Sequence, residues 1–198
     1  GSAVDIIQRQ VRNVFLARQF TMNSYFRIRV PYEEATTRLQ AWFGRSLQQD
    51  PIQVGSVGSV DLACDSNGQW RGPSLFVYQT EDWTVFEDFD GFSFIRSTEW
   101  LKFAKLDEFI RAGYNDSVPC AELIVIDKGV VLREFLYSPD EPADNVDIGL
   151  LPQEKLEPIQ TWVEVASIVD EELLAFSERG WLWISQLRNK VIESPIAG

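Results

Sequence analysis

The stretch Ala121-Glu-Leu-Ile-Val-Ile-Asp-Lys-Gly-Val-Val-Leu-Arg-Glu-Phe-Leu-Tyr137 contains two apolar runs on either side of a polar turn. Gly129 can supply the positive φ that a tight hairpin turn requires. Residues 123–126 are apolar at every position, which predicts a strand that is covered on both faces. Residues 108–114 are the expected neighbouring strand. The sequence therefore predicts three adjacent antiparallel strands at the centre of a sheet.

Alternation of polar and apolar residues predicts further strands on both sides of this centre. The pair 75–79 and 83–87 reads as a hairpin across Thr80-Glu81-Asp82. By the same criteria, strands are predicted over 21–30, 57–64, 75–79, 83–87, 173–176 and 181–184.

Helical spacing of apolar residues predicts an amphipathic helix over 3–19 and a second helix that begins after Pro31. The second helix would bury Ala35, Leu39, Trp42 and Phe43. Ser97 and Ser185 are candidate N-caps of two further helices. Residues 158–170 fit either a helix or a strand.

These elements predict an α+β fold: an antiparallel or mixed β-sheet of about seven strands with packed helices. A length of 198 residues suits a single compact domain over 1–198. Glycines interrupt residues 50–73, which are a possible internal seam. Residues 138–158 are rich in proline and acid and predict an ordered loop, for which Ile148, Leu150 and Leu151 are the candidate apolar anchors.

The charge and the missing histidine exclude several classes of function. The net charge is −12, from 18 basic and 30 acidic residues, and the chain has no histidine. An acidic chain binds phosphate backbones poorly, so no nucleic-acid partner is expected. Without histidine, a Ser-His-Asp triad, a Cys-His dyad and a His-ligated zinc site are excluded.

No cofactor, metal or catalytic residue is predicted from local motifs. The loop 55–59 lacks the Gly-Lys-Ser/Thr of a phosphate-binding loop, and 88–91 fails the ligand register of a calcium loop. Cys64 and Cys120 match no metal spacing and are expected to be reduced thiols of a cytoplasmic protein. No apolar run approaches the length of a membrane span, so no membrane partner is expected.

Acidic residues and one tryptophan near turns are the candidate site. Residues 1–50 hold seven arginines and four acids, whereas the rest of the chain carries a net charge of −15. An acidic face can steer a basic protein partner, although it can also serve solubility alone. Trp83 can anchor an interface or fold back on its own sheet. The predicted partner-binding residues are Glu81, Asp82, Trp83, Asp88, Asp90, Asp140, Glu141, Asp144 and Asp147.

Three stretches resemble a known class of proteins: Trp83-Thr-Val-Phe-Glu-Asp-Phe-Asp-Gly-Phe92, Glu99-Trp-Leu101, and Ala112-Gly-Tyr-Asn-Asp116 onward to Arg133-Glu-Phe135. In composition, size and residue usage they are similar to the small acidic bacterial proteins encoded beside polymorphic toxins, which are regarded as immunity proteins. The similarity covers residues 75–184. It implies a cytoplasmic protein that binds and blocks one cognate toxin domain.

The functional prediction is therefore a non-enzymatic immunity or inhibitor protein whose partner is a cognate, basic bacterial toxin domain. Two alternatives stay open at this stage. The first is a hydrolase or transferase that uses carboxylates without histidine, which would need two acids in a concave pocket. The second is a structural adaptor module.

Overall fold

The computed structural model describes residues 22–43, 47–90, 92–174 and 178–185. Within these residues, nine strands form one sheet in the order β2-β9-β3-β4-β1-β5-β6-β7-β8. Every neighbouring pair in this sheet is antiparallel. Four helices in the described ranges accompany the sheet, so the predicted α+β class is confirmed.

The strands are β1 (Asn23–Ile28), β2 (Gln48–Val54), β3 (Ser74–Thr80), β4 (Trp83–Asp90), β5 (Phe109–Asn115), β6 (Cys120–Asp127), β7 (Val130–Tyr137), β8 (Val146–Gly149) and β9 (Gly180–Ile184). The helices are α1 (Tyr32–Phe43), α2 (Ser56–Ala63), α3 (Ser97–Ala104) and α4 (Trp162–Leu174). Two short 3₁₀ helices, Pro142–Asp144 and Pro152–Lys155, precede and follow β8.

The predicted sheet centre is confirmed. Strands β5, β6 and β7 are consecutive neighbours in the sheet, and Gly129 has the positive φ, 76°, that the turn between β6 and β7 was expected to require. The hairpin of β3 and β4 is also present. Strand β1, which precedes the predicted seam at 50–73, lies between β4 and β5, which follow it.

The sheet has nine strands rather than the predicted count of about seven, and four individual assignments differ from the structure. Residues 57–64 are predicted as a strand, but 56–63 form helix α2, because Val60 and Ala63 lie three residues apart on one buried face. Residues 173–174 belong to α4 rather than to a strand. Strands β2 and β8 were not predicted, because β2 contains Pro51 and β8 has only four residues within the proline-rich loop.

Helices cover both faces of the sheet. One core contains buried residues of α1 and α3, among them Leu39, Trp100 and Phe103, packed on Phe26 and Phe86 of the sheet. The rings of Phe26 and Phe86 stack at 4.6 Å between centroids, which adds to the area that they bury.

The opposite core packs α2 and α4 on the other side of the sheet, through Val60 and Val165 among others. The predicted helices over 3–19 and after Ser185 lie outside the described residues. Trp42 and Phe43, predicted to be buried on α1, are half-buried.

Candidate partner-binding site

Asp88 is buried, which corrects its assignment to the acidic surface. It lies on the same face of the sheet as Phe86 and is 4% exposed. The guanidinium of the fully buried Arg111 donates a hydrogen bond from Nη1 to Asp88 Oδ2 at 2.9 Å and another from Nε to Glu122 Oε1 at 2.8 Å. Burial alone lowers the pKa of Arg111, but the carboxylates of Glu122 and Asp88 raise it overall. These two carboxylates therefore neutralise an internal arginine.

Glu134 is a second buried carboxylate with internal partners. Its side chain accepts two hydrogen bonds from Arg96, at 3.0 and 3.1 Å, and one from the Ser97 backbone N–H at 2.6 Å. Burial alone raises the pKa of Glu134, but these hydrogen bonds together hold it below its ordinary value. Glu134 thus fixes the start of α3 on the sheet.

Arg133 binds the segment 138–158 to β7. Its Nε and Nη2 donate hydrogen bonds to the buried carboxylate of Glu154 at 2.8 and 3.0 Å, and Nη1 donates to Asp147 Oδ1 at 2.6 Å and to the carbonyl oxygen of Ile148 at 3.1 Å. Asp147 belongs to the predicted acidic surface and is exposed, but it has this internal partner. Of the predicted apolar anchors, Leu151 is buried, whereas Ile148 and Leu150 are 53% and 63% exposed.

The turn between β3 and β4 holds three of the predicted site residues. Glu81 is exposed with a φ of 50°, and Asp82 forms a salt bridge of 3.3 Å with Arg29. Trp83 is half-buried, and the guanidinium of Arg27 lies 4.5 Å from its ring centroid. Of the two interpretations of Trp83, the structure favours the second: the ring folds back on its own sheet, where two arginines cover it.

The two main acidic clusters lie far apart. The turn at 80–83 lies next to the pair formed by Thr84 and Ile28, at one end of the sheet. The turn between β6 and β7 lies at the same end. Residues 140–147 follow β7 at the opposite end. Strands β4 and β8 are also five inter-strand spacings apart, or roughly 24 Å. The predicted site residues do not form one surface.

Asp140, Glu141 and Asp144, termed here the rim carboxylates, stand on the edge of a cavity of about 660 Å³, the acidic groove. All three residues are exposed. Their carboxylates form no ion pair or hydrogen bond with any residue in the described ranges. Asp90 ends β4, and its side chain lies outside the described part.

The floor of the acidic groove is apolar. This floor is the apolar lining formed by Leu136, Val146, Val118 and Phe94, of which Val118 and Phe94 are 59% and 39% exposed. Arg96 is the basic residue of the lining, and its guanidinium is already paired with Glu134. The groove therefore combines exposed apolar surface with three carboxylates that have no internal cation, and this arrangement can bind a cationic side chain and an apolar side chain together.

Sequence reasoning did not identify the residues of the groove floor. Phe94, Val118 and Val146 come from three different segments, and no local pattern marks them. The half-buried Cys120 also lines the groove, and burial first, then the charge of Glu122, raises the pKa of its thiol. This shift keeps the thiol protonated, which disfavours a role as nucleophile.

A smaller cavity of about 320 Å³ has the opposite charge. Arg38, Lys102 and Lys105 line it together with Trp42, between α1 and α3. Arg38 is bonded to Asp107 at 2.7 Å and to backbone carbonyls of α3, so it fixes the two helices to each other. We therefore take the acidic groove as the candidate partner-binding site.

Among the described residues, no group of three or more cysteine, aspartate and glutamate side chains is placed to hold a metal ion. None of the described helices combines the length and the apolar character needed to cross a membrane. Comparisons of the chain with protein-family models, with curated proteins and with solved structures found no match.

Proposed function

We propose that this protein is a non-enzymatic inhibitor that binds a basic protein partner, as an immunity protein binds its toxin in the cytoplasm. The partner would place lysine or arginine side chains against the rim carboxylates and an apolar side chain on the floor of the acidic groove. Binding would block the partner without any reaction at this protein.

The observation that carries the proposal is the state of the rim carboxylates. Of the other predicted acidic site residues, Asp88 pairs with Arg111, Asp82 with Arg29 and Asp147 with Arg133, while Glu81 stands exposed at the far end of the sheet. The rim carboxylates have no such cation within the described chain. A basic partner would supply it, and the long-range field of a −12 chain would accelerate the encounter.

The direction of their pKa shifts makes three glutamates poor candidates for a general acid. Glu134, Glu154 and Glu164 each have a pKa held below the ordinary value, because hydrogen bonds to the charged form outweigh the effect of burial. A general acid needs a raised pKa instead. The rim carboxylates are exposed, and their surroundings suit recognition of a cation.

The proposal is tested in cells by expressing the protein encoded beside this gene with and without the present chain. We expect that the neighbouring protein arrests growth, that the wild-type chain restores growth, and that the two proteins purify as a complex. A neighbouring protein that is harmless, or that remains toxic and does not bind, would contradict the proposal.

Two charge-matched variants identify the surface that is used. Neutralising the rim, with Asp140→Asn, Glu141→Gln and Asp144→Asn together, should abolish protection. The control neutralises three acids at the opposite end of the sheet, with Glu81→Gln, Asp82→Asn and Glu108→Gln together. It removes the same net charge, but protection should be preserved because these residues lie far from the acidic groove. Equal protection by both variants would exclude the acidic groove.

A further inference from the structure

We infer that strand β8 is an acceptor edge: an extended segment of the partner adds to β8 as a further antiparallel or parallel strand, beside the acidic groove. This inference rests on the proposed function, because it assigns a binding geometry to the same basic partner. It adds a backbone contact to the side-chain contacts of the groove.

The two edges of the sheet differ in how they are protected. Strand β2 contains Pro51, and its pairing register with β9 shifts between Gln49 and Gln53. The Ile52 backbone N–H donates a hydrogen bond to Asp50 Oδ1 at 3.0 Å. Proline, irregular register and occupied backbone groups all prevent an edge from pairing. Strand β2 is therefore a closed edge.

Strand β8, Val146-Asp147-Ile148-Gly149, contains no proline, and of its backbone groups the Ile148 carbonyl oxygen accepts a hydrogen bond from Arg133 Nη1 at 3.1 Å. The strand pairs with β7 in unbroken register, and no described strand lies on its outer side. In an antiparallel pair, successive residues direct their backbone groups alternately toward and away from the neighbour, so part of the β8 backbone faces outward. With no proline and an unbroken register, β8 is the more open of the two edges.

Apolar side chains continue from the groove along this edge. Val146 lines the acidic groove, and Ile148, two residues further, is on the same face and 53% exposed. Leu150 and Leu132 are also exposed, at 63% and 43%. A strand placed beside β8 could cover this apolar strip with every second side chain.

Charge selects the occupant of the edge. A second copy of this chain would bring its own Asp147 and rim carboxylates close to those of the first, and like charges on neighbouring strands are unfavourable. A segment in which basic and apolar residues alternate would bring cations to the rim carboxylates, since Asp147 already pairs with Arg133, and would place its apolar side chains near Ile148. We therefore assign the edge to the basic partner.

A short synthetic peptide in which lysine and valine alternate tests the inference, with binding measured by titration calorimetry on the full chain. We expect the peptide to bind and to slow hydrogen exchange of the β8 amides. The same peptide with alternate backbone nitrogens methylated keeps its charge and side chains but cannot pair as a strand. It should bind about tenfold more weakly or worse, because strand addition depends on main-chain hydrogen bonds.

Matched variants locate the contact. Ile148→Ser should weaken peptide binding, whereas Ile52→Ser, at a similarly exposed position of the closed edge, should leave it unchanged. If the methylated peptide binds as tightly as the unmethylated one, or if neither binds, strand addition to β8 is wrong. The growth-rescue experiment is independent of the peptide, so the proposed function can survive that result or fail on its own.

Discussion

The carboxylates of Asp88 and Glu122 lie inside the sheet, whereas the rim carboxylates stand at the surface of the acidic groove. The buried pair is within 2.9 Å of the guanidinium of Arg111. The rim carboxylates face solvent, with no cation from the described chain. The same residue type thus serves the fold in one region and is available for recognition in the other. A cluster of acids in a sequence does not by itself distinguish these roles.

The strongest test of the comparison removes the buried cation. Arg111→Ala would leave Asp88 and Glu122 as uncompensated charges, and breaking a buried ion pair from one side destabilises a protein by about 3–5 kcal/mol. Urea denaturation should show this loss. Arg29→Ala, which breaks two exposed salt bridges and one contact with the Trp83 ring, should cause a far smaller change. Comparable losses for both variants would contradict the distinction between buried and exposed pairs.

The next test weakens the pairing of β8 with β7 and so affects the loop that carries the rim carboxylates. Gly149 has a φ of 78°, and a Cβ atom at this position would lie 2.1 Å from the carbonyl oxygen of Leu132. Gly149→Ala should therefore release β8 from β7, with faster hydrogen exchange at 146–149 and a loss of about 1–3 kcal/mol from backbone strain alone.

Gly55→Ala is the matched control for Gly149→Ala. A Cβ at Gly55 would meet no atom within 4 Å, so stability and hydrogen exchange of β8 should stay close to those of the wild type. If hydrogen exchange in Gly149→Ala is the same as in the wild type, Gly149 does not lie as close to the Leu132 carbonyl oxygen as described.

A third test uses pH to distinguish the carboxylates that have internal partners from the exposed rim carboxylates. Glu134 and Glu154 have a folded-state pKa below the ordinary value of 4.5, so each adds stability above pH 4.5, and this stability is lost as pH falls below 4.5. The free energy of unfolding should therefore decrease on acidification in this range.

Replacing these two carboxylates should flatten the pH dependence. Glu134→Gln and Glu154→Gln should each reduce the slope of the unfolding free energy below pH 4.5, and the double variant should reduce it further. Urea titrations at a series of pH values measure these slopes. A double variant with the wild-type slope would show that the two hydrogen-bonded carboxylates do not contribute to acid sensitivity.

The smallest expected effect concerns the rim. Neutralising Asp140, Glu141 and Asp144 together removes no internal hydrogen bond or ion pair known from the described residues, so the free energy of unfolding should change by no more than about 0.5 kcal/mol per substitution. Thermal and urea denaturation measure it. A large destabilisation would mean that the rim carboxylates serve the fold and would remove the contrast with the buried pair.

The fold could be predicted best where sequence signals are local. The β6–β7 and β3–β4 hairpins follow from apolar alternation and short turns, and Gly129 has the expected conformation. Strand β2 escaped prediction because it contains Pro51 and pairs with the distant β9, and β8 because it has only four residues within the proline-rich loop. The helix at 56–63 was missed because valine content outweighed its helical spacing.

The candidate site could be predicted only in part. The exposed acids at 140–144 were recognised from the sequence as a proline-rich acidic segment. The burial of Asp88 could not be predicted, because its partner Arg111 is on another strand, 23 residues away. The groove floor combines Phe94, Val118 and Leu136 from three segments, so it exists only once the sheet has formed.

The most direct test of the central claim is the salt dependence of the association rate between this protein and its basic partner. Stopped-flow measurements would compare the wild type with the rim variant and with the charge-matched variant at residues 81, 82 and 108. The account predicts that the rim variant associates more slowly and loses most of the salt dependence, while the charge-matched control keeps both the rate and the salt dependence. Equal rates and equal salt dependence for the two variants would contradict it.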